Sequence, residues 1–136
     1  VSPAADRAGA SWSRLITGLA RVRDVAAARG VGIAVKFAPG TAVATCADAM
    51  RLATDVPGTG VLLDTRHARA GGEDPAECVR RLAHLLWHVH VGGEDDVGPL
   101  VVALDATYAG IVTVDMPAKA GTGAQAAAEL LRALTR

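Results

Sequence analysis

A chain of 136 residues, 51% of them hydrophobic, has the length of one domain and enough apolar surface for a buried core, so residues 1–136 are expected to form a single domain. Fourteen Lys and Arg balance fourteen Asp and Glu, so no net field draws the chain to nucleic acid or to an anionic membrane. No apolar run approaches the ~20 residues of a membrane span and no signal peptide is evident, which together predict a cytoplasmic, soluble protein without a membrane or nucleic-acid partner.

The leader VSPAADRAGAS reads as a loop of small residues. From Trp12 to Arg29 the apolar positions Trp12, Leu15, Ile16, Leu19, Val22 and Val25 follow helical spacing, and Gly30 stands where a helix C-cap belongs. VGIAVKFA, residues 31–38, is a short β-rich run closed by Pro39-Gly40. A helix over about 42–53, capped by Thr41, follows and is broken at Val56-Pro57-Gly58. GTGVLLDT is the next strand, and ARAGGED reads as a loop that supplies Asp74 as the N-cap and leads to Pro75 as the first residue of a helix to about Leu85. LLWHVHV, residues 85–91, is a third strand with the polar exit loop GGEDDVG. Pro99 opens a helix to about Tyr108, GIVTVDM, residues 110–116, is a fourth strand, and Gln125–Thr135 a terminal helix. Cys46 and Cys78, each on a predicted helix and with no CxxC spacing, read as small buried apolar residues.

Strands alternating with helices through short loops call for an α/β architecture with a parallel sheet, and near-continuous apolar strands for a sheet covered on both faces. The polar residues fall at one end of each strand: Lys36 after GIAV, Asp64 after VLL, His88 and His90 in WHVHV, and Asp115 after IVTV. That C-terminal rim is where α/β sheets and (β/α)8 barrels bind ligands.

The succession GIAVKFAPG, VLLDTRHA with GGEDP behind it, LLWHVHVGGED and YAGIVTVDMP resembles the C-terminal half of the xylose isomerase-like TIM barrels, a superfamily of sugar phosphate isomerases and epimerases that includes endonucleases acting at abasic sites. The resemblance covers essentially the whole chain and implies four parallel β/α units, a half barrel corresponding to strands five to eight. It also implies a divalent cation, Mn²⁺, Mg²⁺, Co²⁺ or Zn²⁺, held at the barrel mouth by Glu, Asp, His and Glu. Carried over by position, the Asp ligand falls on Asp64, the His ligand on His90 and the last Glu on Asp115, one methylene shorter. His67 falls where the family contacts substrate or a further metal. The first Glu falls on Lys36, and an ammonium cannot ligate a cation. Gly92-Gly93 stand where many members carry Lys-Asp, leaving Glu94 or Asp95 to supply any further carboxylate.

The family mechanism implied by the resemblance moves a proton between two carboxylates while the metal polarises a carbonyl. Here the acid/base positions are Asp115 and Lys36, so that chemistry is expected to be impaired. Lys36 is instead expected to put its ammonium in the place of the metal, held by Asp64 and Asp115, or to point outward and leave Asp64, His90 and Asp115 as a three-ligand site. His67, His88 and Arg66 are the candidate substrate contacts, with Arg69 a further candidate for phosphate and His84 a surface residue. Asp64 as a helix N-cap is disfavoured, because the next predicted helix starts about ten residues on.

Four β/α units leave open sheet edges and apolar surface, so the chain is expected to be a fragment of a protein of about 250–280 residues that supplies the missing barrel half, with a head-to-tail homodimer second and closure of its own sheet by the leader and terminal helices third. Three functions follow: a sugar or sugar phosphate isomerase or epimerase acting on a small carbohydrate-like ligand; a non-catalytic descendant that binds a small ligand or another chain; and a metal-dependent endonuclease-like hydrolase.

Overall fold

The four apolar runs pair as four parallel strands in their order along the chain, and the interleaved segments fold as helices. The computed structural model describes residues 3–92 and 98–115, together with Ala128 and Arg132 near the C-terminus. The expected C-terminal helix falls almost wholly outside the described residues, as do Glu94 and Asp95.

Helix α1 spans Pro3–Ala27. The leader is therefore helical rather than a loop: proline is tolerated in a first turn, and the alanines after it are the strongest helix formers. Gly30, at φ 70°, turns the chain out of the helix. Strand β1 is Ile33–Lys36. Helix α2 is Cys46–Asp55, starting later than the composition suggests because Thr45 and Asp48 form a capping box. The Asp48 N–H donates to Thr45 Oγ1 at 3.1 Å, and the Thr45 N–H donates to Asp48 Oδ2 at 3.1 Å. Trp12 ties α1 to α2 by donating its indole N–H to Asp55 at 2.8 Å, beneath the Arg51 guanidinium at 4.5 Å from the ring.

Strand β2 is Thr59–Asp64, and helix α3, Thr65–Ala70, follows without a break. The segment read as a loop is thus a short helix, and its N-cap is Asp64. Helix α4 is Pro75–Leu82 with Asp74 as N-cap and Pro75 in the first turn, and it ends at a 3-10 turn, Ala83–Leu85, which carries the exposed His84. Strand β3 is Leu86–Gly92, helix α5 Gly98–Thr107 and strand β4 Ile111–Asp115. The Tyr108 hydroxyl lies 2.7 Å from the Ile111 carbonyl and 3.0 Å from that of Trp87, fixing the start of β4 against β3.

The register separates the two faces of the sheet. Val61, Leu63, Val89 and Val91 point to the helices and pack with Leu52, Val79, Leu82, Leu100 and Leu104 in the core. Between β2 and β3 the register shifts, Val61 pairing with Leu86 but Leu62 with His88. The additional residue, Trp87, lies across Gly60 and Gly32, where a Cβ would collide with its ring. Trp87 and Ile111 are large apolar side chains left exposed. Cover on both faces, expected for a parallel sheet, is therefore not what the described residues provide: helices bury one face, and the face carrying Lys36, Trp87, Ile111 and Thr113 stays open. Strands that form part of a barrel wall have this asymmetry, because their second face looks into the barrel.

Candidate functional site

Asp64 is the centre of the strand-end rim. Its side chain is 3% exposed, although it sits at the last position of β2. One oxygen, Oδ1, accepts the backbone N–H groups of Arg66 at 3.1 Å and His67 at 3.3 Å. These are two of the donors that every helix N-terminus leaves open, so the carboxylate both starts α3 and sits at its positive end. The other oxygen, Oδ2, faces Lys36 Nζ at 3.5 Å and His67 Nδ1 at 3.6 Å. Burial pushes the Asp64 carboxyl up, but the backbone hydrogen bond from His67 and the charges of His67, Lys36 and Arg66 outweigh it, so the group sits below the ordinary aspartate value.

Arg66 joins the rest of the rim. Its Nε lies 3.9 Å from Asp64 Oδ1 and its Nη2 pairs with Asp115 Oδ2. To reach β4 it must cross β3, and it does so over Gly92, where a Cβ would meet its Cγ and Cδ. Gly92 thus makes room for this crossing. Thr65 closes the same corner by accepting the buried Gly92 N–H at 2.9 Å. The result is an alternating ladder of Lys36, Asp64, Arg66 and Asp115 across the ends of all four strands.

The expected pairing of Lys36 with both aspartates is half realised. Lys36 meets Asp64, whereas Asp115 is taken by Arg66, because Arg66 bridges β3 and Lys36 stands at the far edge strand. His88 and His90 alternate on the open face, with ring centroids 4.8 Å apart and nearly perpendicular. His88 Nε2 lies 2.8 Å from Thr113 Oγ1, and burial, then the neighbouring His90, lowers its pKa. His90 is the register partner of both Asp64 and Thr113.

The donors Asp64, His90 and Asp115 do not fit a divalent cation as they stand. Asp64 is neutralised by Lys36 and Arg66, Asp115 by Arg66, and a cation would add to that positive charge. Among the described residues the one gathered set of three His, Cys, Asp or Glu donors is elsewhere, at Cys46, Glu73 and Cys78. Sequence reasoning passed over Glu73 and the crossing role of Arg66. The signal for the latter was Gly92 at a strand end, where the chain approaches closely.

Parallel strands in sequential order, helices on one face and a polar rim at the C-terminal strand ends define a TIM-barrel-type β/α sheet in a half-barrel arrangement. The chain belongs to the xylose isomerase-like TIM barrel family, whose model it matches over residues 1–135. Among curated proteins it is similar to the inosose dehydratase of Lacticaseibacillus casei, 38% identical over 81 residues, or 58% of this chain and 27% of that protein. The inosose dehydratase of Clostridium botulinum (strain Alaska E43 / Type E3) is 32% identical over 94 residues, 68% of this chain and 30% of that protein. The solved structure of an L-ribulose 3-epimerase superposes with a TM-score of 0.78 at 20% identity, covering 91% of this chain and 54% of that one. The IolI protein with a bound zinc atom superposes at 0.68 with 21% identity, covering 88% and 55%. The matches thus span about a quarter of the curated relatives and about half of the solved chains. At these identities the two structures speak for the fold alone.

Proposed function

We propose that the chain supplies strands five to eight of a carbohydrate-converting barrel, and that its rim holds a small hydroxylated, carbonyl-bearing ligand through fixed charges in place of a well-formed metal centre. The observation that carries this is the Lys36 ammonium 3.5 Å from the buried Asp64 carboxylate. A positive charge there still faces a ligand oxygen, and as a donor it polarises a carbonyl less than a divalent ion does. His67, His88 and Arg66 are the contacts for the ligand, and Asp115 is the group for proton transfer. Isomerase or epimerase turnover is impaired on this reading, and ligand binding is retained. The open face with Trp87 and Ile111 supports a further proposal, that the rest of a barrel, from a longer chain or a second copy, covers it.

A second reading, a metal-dependent isomerase or epimerase, is favoured by Asp64 and His90 lying side by side in register. In that case the half-exposed Lys36 swings out and Asp64, His90 and Asp115 take Mn²⁺, Mg²⁺, Co²⁺ or Zn²⁺.

Calorimetric titration of Mn²⁺ into the metal-stripped chain separates the two. The proposal expects no saturable binding in the parent, one site gained in Lys36→Glu, and its loss in Lys36→Glu combined with Asp64→Ala. Stoichiometric Mn²⁺ binding by the parent that disappears in Asp64→Asn would refute the charge-substituted rim and support the metal enzyme.

A further inference from the structure

On the helical side of the sheet, three soft and hard donors converge that take no part in the ladder of Lys36, Asp64, Arg66 and Asp115. Cys46 is the first residue of α2, Cys78 lies in the middle of α4, and Glu73 precedes α4 by two residues. Both thiols are buried, Glu73 is partly exposed, and the donor atoms of all three lie within 4.8 Å of one another. Glu73 is already oriented, because its carboxylate accepts the Cys46 N–H at 2.9 Å through Oε2 and 3.2 Å through Oε1. Arg81 Nη1 stands 3.8 Å from Glu73 Oε1. The spacing of 46, 73 and 78 matches no zinc knuckle; only the packing of α2 against α4 creates the cluster.

We propose that Cys46, Glu73 and Cys78 form a binding site for a thiophilic divalent cation, Zn²⁺ or its spectroscopic surrogate Co²⁺, separate from the strand-end rim. Tetrahedral zinc, with Zn–S of about 2.3 Å and Zn–O of about 2.1 Å, holds its donors roughly 3.6–3.8 Å apart. The observed cluster therefore closes on an ion by shifts of about 1 Å or less. Binding exchanges the two thiol protons for two metal–sulfur bonds and releases those protons to solvent. Two thiolates and a carboxylate leave one negative charge against a divalent ion, and the Arg81 guanidinium offsets it in a region where an unpaired charge is costly. Cys46 sits at a helix N-terminus, which favours a thiolate. The exposed edge of Glu73 gives the ion its way in and leaves a fourth position for water.

Titrating Co²⁺ into the reduced, metal-free chain tests this. The expected result is one equivalent bound, with thiolate-to-cobalt charge-transfer absorption in the near ultraviolet and displacement of the cobalt by Zn²⁺. Asp64→Asn keeps the band. Cys78→Ala abolishes it, and Glu73→Gln, which leaves both thiols and the side-chain shape in place, weakens binding by about tenfold or more. Circular dichroism checks that each variant stays folded. Two free thiols by titration without a charge-transfer band would overturn the proposal. So would a band that persists in Glu73→Gln at unchanged affinity, or one that Asp64→Asn removes.

Discussion

Asp64 carries two separable loads, and two substitutions divide them. Alanine at this position removes the cap of α3 and the ion pairs together, whereas asparagine keeps an oxygen for the backbone N–H groups and removes only the charge. The cap consists of the bonds from Arg66 at 3.1 Å and His67 at 3.3 Å, and losing such a cap costs about 0.5–2 kcal/mol. Because α3 has only six residues, it has no independent stability to absorb the loss. The partner side chains Lys36 and Arg66 are 42% and 51% exposed, so each pair is screened by solvent and adds at most roughly 0.2–1 kcal/mol. The expected outcome in urea denaturation at neutral pH is a loss of about 2 kcal/mol for Asp64→Ala and about half that for Asp64→Asn. Added salt should shrink the asparagine deficit and leave the difference between the two variants nearly unchanged, since screening acts on the charges and not on the cap. Equal destabilisation by the two substitutions, or an alanine variant as stable as the parent, would refute this division of roles.

The depressed Asp64 carboxyl also has a pH signature. Its folded value lies below that of an ordinary aspartate, so its contribution is complete above the ordinary aspartate range and is lost as pH falls through the folded value; stability curves taken from neutral into acid should be flatter for Asp64→Asn than for the parent. Thr65→Val leaves the buried Gly92 N–H without its acceptor at 2.9 Å, which should cost about 1–3 kcal/mol in the same denaturation assay.

The strands were legible because apolar, β-branched runs such as VLLDT end in single polar residues, and the same pattern located the rim. The boundaries that moved have local causes. Thr45 and Asp48 spell a capping box that outcompetes Thr41, and a six-residue helix such as α3 is too short for hydrophobic periodicity to reveal. Once α3 is known to follow β2 directly, the objection to Asp64 as a cap disappears, and the cap leaves Oδ2 turned to Lys36 and His67 for the role proposed above. The pairing of Arg66 with Asp115 was not legible, since it joins residues on different elements and depends on the missing side chain of Gly92. The cluster of Cys46, Glu73 and Cys78 was hidden for the same reason: sequence spacing carries no information about how α2 meets α4.

The charge ladder also bears on which ligand the rim suits. Lys36, Asp64, Arg66 and Asp115 alternate in sign and already satisfy one another. A phosphate dianion seated on Arg66 would have to break its pair with Asp115 and leave that carboxylate beside a second negative group. At about 4 Å, like charges near a protein surface repel by up to roughly 4 kcal/mol, which offsets most of what a guanidinium–phosphate pair contributes. Hydroxyl groups both donate and accept, so a neutral polyol bridges ammonium and carboxylate without dissolving the ladder. On the proposed reading, an uncharged ketose should therefore bind at least as well as its phosphate ester. Freeing Arg66 by Asp115→Asn should shift the preference toward the ester. Calorimetry with one ketose and its phosphate on both proteins reads this directly. An ester bound tenfold tighter by the parent, with no further gain in Asp115→Asn, would mean that the ladder does not govern the choice.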